Sequence, residues 1–116
     1  MDLFAGFSRE AGRLPERLDD LHGPWRGTVV LPVHLSWHGA REFDVGNDRR
    51  RLLMYSIVLS NGRSNEVARF LNPGRLRDDW SQLRPLVSSA MRRACERKLG
   101  LPAPSARFRH AQHGQP

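Results

Sequence analysis

Leu52-Leu53-Met54-Tyr55-Ser56-Ile57-Val58-Leu59 is the stretch on which the fold turns. It is apolar nearly all round, so its pattern alone does not separate a buried helix from a buried strand. The flanks decide. Gly46-Asn47-Asp48 precedes it, and an Asn or Asp side chain there can accept from the free amides of a first helical turn. Ser60-Asn61-Gly62 follows and reads as a helix stop. The expectation is a central buried helix opening near Asp48, with the rest of the chain packed around it.

Upstream, Thr28-Val29-Val30-Leu31-Pro32-Val33-His34-Leu35-Ser36-Trp37 is β-rich, and Val29, Leu31, Val33, Leu35 and Trp37 alternate to one face. Pro32 has no amide hydrogen, which restricts this segment to a sheet edge or a bulge. His38-Gly39-Ala40-Arg41 turns the chain, and Glu42-Phe43-Asp44-Val45 returns as a short second strand. Such a hairpin is marginal alone and must lie on helices. Residues 1–24 read as a loosely packed helical arm. Ser8 can cap a first turn, and Pro15 suits the start of a second helix. Leu14, Leu18 and Leu21 follow helical spacing there, and His22-Gly23-Pro24 ends the arm.

Three more helices are expected downstream. Ser64 is placed to cap one carrying Val67, Phe70 and Leu71. Asn72-Pro73 is a cap followed by proline at the first helical position, and Leu76, Trp80 and Leu83 then form one stripe. Pro85 opens the last helix, which presents Leu86, Val87, Ala90, Met91, Ala94 and Leu99 largely to one side before Gly100 and Pro102 stop it. The predicted class is mainly α with a short N-terminal β-hairpin (α+β), about four to six short helices packing on the hairpin. The predicted organisation is an arm over 1–24, one globular domain over 25–101 (hairpin 27–45, helices 48–100) and a disordered tail over 102–116.

The 116 residues suit one domain, and a single cysteine, Cys95, excludes an internal disulfide and a cysteine-based zinc cluster. With no signal-like N-terminus and no long apolar run, the expectation is a cytoplasmic protein with no membrane association. The net charge is +7, and eighteen of the nineteen basic residues are arginine. The charge is uneven: residues 1–48 carry −3 and residues 49–116 carry +10. That asymmetry points to an anionic partner, either nucleic acid or an acidic protein surface.

Nothing in the sequence supplies a catalytic constellation. It has neither a glycine-rich phosphate loop nor a nucleophile elbow, so the expectation is a non-enzyme without cofactor, metal or small-molecule substrate. Cys95 lies among Arg92, Arg93 and Arg97, which would favour thiolate, but its place beside Ala94 reads as a small buried thiol. His34 and His38 lack a third metal ligand beyond a guess at Asp44. Asp19-Asp20 and Asp78-Asp79 read as solvated helix surface, because adjacent helical residues do not face each other. Trp80 and Tyr55 read as core. Trp37, at a strand end beside a turn, is either packed under the helices or free to meet a partner. Arg49-Arg50-Arg51 opposes the dipole of the helix it opens, and Asp48, Asp44 or Glu42 is expected to neutralise it. On the last helix Arg92, Arg93 and Arg97 lie away from the apolar side, with Glu96 among them and Lys98 near an edge. They form either solvated surface or a docking face, to which Arg107 and Arg109 could add.

The order Gly27-Thr28-Val29-Val30-Leu31-Pro32, Leu35-Ser36-Trp37, Phe43-Asp44-Val45, Arg51 to Tyr55 to Val58-Leu59, and Leu76 to Trp80 resembles a group of small bacterial proteins. These accompany nucleotidyltransferase toxins of the AbiEii/AbiGii type. The resemblance implies an antitoxin-like partner that binds and neutralises a larger cognate protein, and it implies no catalytic residues. Two readings follow. In the first, the protein is an interaction module contacting that partner through Trp37, His38 and Arg41. In the second, it binds RNA or DNA, as a transcriptional regulator would, through Arg92, Arg93, Arg97 and Lys98 on the last helix.

Overall fold

The apolar run is helical. A computed structural model describes residues 9–36, 39 and 41–103, and in it the central helix runs from Asp48 to Asn61. The expected cap at Ser8 and nearly all of the expected tail, with Arg107 and Arg109, lie outside the described residues. The Asn47 side chain accepts from the Arg50 amide at 2.9 Å, as its position before the run predicts. The described residues form, in chain order, α1 (Arg9–Gly12), β1 (Thr28–Val30), β2 (Glu42–Asp44), α2 (Asp48–Asn61), α3 (Ser64–Phe70), α4 (Pro73–Leu83) and α5 (Ser89–Lys98), with short 3-10 turns between some of them. The protein is therefore mostly helical, with one antiparallel hairpin early in the chain.

The hairpin pairs Thr28 with Asp44, Val29 with Phe43 and Val30 with Glu42. Val29 and Phe43 face inward, and the other four residues face solvent. The first arm is shorter than its alternation predicts. Beyond Pro32 the chain forms a 3-10 turn, Val33–Leu35. Leu35 is buried, but Val33 points outward and is 71% exposed. Proline cannot extend the ladder, so the segment after it coils and the period of two is lost.

The helices enclose one core. Met54, Tyr55, Val58 and Leu59 of α2 meet Val67 of α3, Leu76, Trp80 and Leu83 of α4, and Met91 and Cys95 of α5, all within 1% of full burial. Leu14 and Leu21 from the segment read as an arm are buried in the same core. Asn72 caps α4 by accepting from Gly74 and Arg75, with Pro73 in the first turn as expected. Two caps differ from expectation. Ser64 lies inside α3, where Glu66 instead accepts from the Arg63 amide at 2.9 Å. Pro85 sits in a 3-10 turn, Arg84–Leu86, and α5 begins only after Ser88, whose hydroxyl accepts from the Met91 amide. Gly100 takes φ of +69° just past α5, the left-handed conformation in which glycine stops helices.

Candidate functional site

The interior polar groups are consumed by structure. Arg51 is 3% exposed and crosses from α2 to α4, where its Nε and Nη2 donate to the two oxygens of Asp79 at 2.6 and 3.0 Å. Its Nη1 donates to the Val45 carbonyl at 2.7 Å, and Nη2 also reaches Asp48 at 2.9 Å. The hydrogen bond to Asp79, followed by the one to Asp48, overcomes the opposing effect of burial and holds the guanidinium charge more firmly than in an ordinary arginine. The expectation for the helix start is met in part: Asp48 is one neutraliser. Asp79 corrects the reading of Asp78-Asp79 as solvated surface, because only Asp78 is exposed.

A second polar joint links α4 to α5. Glu96 accepts from the indole Nε1 of Trp80 at 2.9 Å and from Arg84 Nε at 2.8 Å. Tyr55 is buried with its hydroxyl accepting from the Asn72 amide at 3.0 Å, and burial pushes its pKa up from 10.0 to about 12. Cys95 is a buried free thiol, which burial likewise pushes up to about 12. Among the described residues, no buried side-chain nitrogen or oxygen lacks a hydrogen-bond partner. Nor does any group of three or more His, Cys, Asp or Glu among them stand where it could hold a metal. His34 bonds instead to Glu66 at 2.7 Å, tying the turn after β1 to α3.

The exposed side chains supply the other candidate contacts. Trp37 and His38, two of the expected partner contacts, lie outside the described residues. Arg41, the third, is exposed, with Nε 3.4 Å from the Leu31 carbonyl. The four basic residues expected on the last helix do not form one free patch. Lys98 turns back onto the N-terminal segment and donates to the Ala11 and Leu14 carbonyls at 2.8 and 3.0 Å, with Glu16 3.6 Å away. Arg92 donates to the Arg84 carbonyl. Arg93 and Arg97 are exposed and make no hydrogen bond or ion pair among the described residues.

Two surface features escape a reading of the sequence. Val30 (51%), the last residue of β1, and Val33 (71%), in the 3-10 turn that follows, are both exposed. Trp25 is 45% exposed, and the Arg75 guanidinium lies 3.9 Å from the centre of its ring. The available signal for Trp25 is its setting in Gly23-Pro24-Trp25-Arg26-Gly27, an aromatic between turn residues and outside every periodic run.

Comparison with known proteins gives no match to a family model, to a curated protein or to a solved structure.

Proposed function

We propose that the protein is an antitoxin-like interaction module that binds and neutralises a larger cognate protein in the cytoplasm. The sequence resemblance supplies the candidate partner, a nucleotidyltransferase toxin. The single observation that carries the binding surface is the pair of outward-facing valines, Val30 and Val33, beside exposed Arg41. Val30 at the end of β1 and Val33 in the turn after it offer an apolar contact, and the two-stranded hairpin has edges whose backbone groups can pair with another chain. No described helix is long and apolar enough to cross a membrane.

Co-expression with the protein encoded alongside, followed by size-exclusion chromatography and a growth assay, tests this reading. A stable complex and restored growth are expected. Val33→Arg should weaken the complex at least ~10-fold while leaving the melting temperature unchanged, since a charge forced into an apolar contact at an interface centre costs more than ~1.4 kcal/mol. A neighbour that elutes separately and stays equally toxic, or is not toxic at all, overturns it.

The second reading, binding to RNA or DNA through the last helix, draws its support from exposed Arg93 and Arg97. Arg92 and Lys98 contribute less to it, since their donors already serve carbonyls within the chain. Changing Arg93 and Arg97 together to Gln should lower the salt slope of duplex binding by up to about 1.8. An unchanged slope removes α5 from the contact.

A further inference from the structure

We propose that Trp25, together with Arg75 and Arg26, is a stacking site for single-stranded nucleic acid. The ring is exposed yet held. The loop before it is pinned by the Gly23 amide on the Leu71 carbonyl at 2.8 Å and by the Asn72 side chain on the Gly23 carbonyl at 3.0 Å. A Cβ at Gly23 would lie 2.4 Å from the Phe70 backbone, so only glycine allows that approach. The indole rests near Gly74, where a Cβ would come within 3.0 Å of Cζ3. Arg75 completes the arrangement: its Nε donates to the Trp25 carbonyl at 2.9 Å while its guanidinium lies over one face of the ring, and Trp25 is still 45% exposed.

Each part matches a need of the ligand. A base stacks on any flat aromatic face, and a ring already fixed in place loses little freedom on binding. The two terminal nitrogens of Arg75 make no bond among the described residues, leaving a fork that suits a phosphodiester. Arg26, next in the chain and exposed, adds a second cation, and the net charge of +7 draws a polyanion from a distance. A duplex keeps its bases stacked inside, so this chemistry selects single strands. The site shares no residue with the two strands or with α5, and it stands or falls independently of the protein-partner reading.

The test is fluorescence anisotropy with a labelled 12-nucleotide oligouridylate, an abasic strand of the same length and a 12-base-pair duplex. The full chain should bind the oligouridylate more tightly than ~100 μM and more tightly than either control. Trp25→Ala should weaken binding about 5- to 100-fold, and Trp25→Phe should keep most of it. Arg75→Gln should also weaken it. Equal binding of the abasic strand or the duplex overturns the proposal, as does unchanged affinity in Trp25→Ala. Photocrosslinking of the unmodified protein to an oligonucleotide carrying 5-iodouridine probes the same site without relying on the folding of any variant. An adduct on Trp25 supports the site; an adduct confined to other residues, or none, overturns it.

Discussion

The two ends of α4 each join a tryptophan to an arginine, and they do so to opposite effect. Near the carboxyl end Trp80 is fully buried, and Glu96 takes up both its indole N–H and the Arg84 guanidinium. At the amino end Trp25 stands half in solvent under Arg75, with a backbone carbonyl as the arginine's partner. The difference is the carboxylate. Where one is present, the aromatic and cationic groups are satisfied internally and lock helix to helix. Where none is, the terminal nitrogens of Arg75 make no bond among the described residues and nearly half of the Trp25 surface meets solvent.

Trp80→Ala should break the interior end most severely, costing about 3–5 kcal/mol in a chemical denaturation curve. A midpoint that does not move would show that the ring is not core. Asp79→Ala should approach that scale, about 3–5 kcal/mol, because it strands Arg51 as a buried charge. Replacing the pair together, Arg51→Met with Asp79→Leu, should recover most of the loss, and a double variant as unstable as the single one would contradict this account. Glu96→Leu removes the shared acceptor and should cost about 1–3 kcal/mol, the penalty for unpaired buried donors.

Alkali probes the same interior. Tyr55 and Cys95 both hold their protons to about 12 in the folded state, against ordinary values of 10.0 and 9.0. Raised folded values mean that their contribution is complete below pH 9 and is lost as pH rises toward 12. Between those limits the unfolded chain has released protons that the folded chain keeps. Stability should therefore fall above about pH 9, with a slope of up to ~1.4 kcal/mol per pH unit for each group. Tyr55→Phe should flatten the upper part of that limb; an unaltered limb would remove Tyr55 as its source. At the exposed end the effect should be smallest. Trp25→Ala should cost less than about 1 kcal/mol, the worth of an exposed cation–π contact. A larger loss would make Trp25 a structural residue and erase the contrast.

The parts of this molecule that are legible in the sequence are those fixed by near neighbours in the chain. Asn47 caps α2, Asn72-Pro73 opens α4, and the Leu76-Trp80-Leu83 stripe is buried because all three depend on spacings of a few residues. The departures have other causes, most of them distant. The fate of Asp79 is decided by Arg51, 28 positions away. The β-alternation through Leu35 is overridden at Pro32, because a missing amide outweighs side-chain pattern. The basic set on α5 divides because Lys98 finds carbonyls 84 and 87 residues earlier, and no local pattern announces such a partner. Trp25 is hard to see for a related reason: periodicity finds what is buried, and a loop aromatic has no period.

The bond from Lys98 to Ala11 and Leu14 sets an order of events in folding. On the α2 side, Arg13 donates to the Leu59 and Gly62 carbonyls. The α1 segment is thus fastened by two cations, one reached through a loop of about half the chain and the other through a loop of most of it. Loop closure on that scale is slow compared with helix formation, which is local. During synthesis α1 leaves the ribosome before α5, yet its last fastening cannot form until α5 has followed. A segment made early is among the latest to be secured.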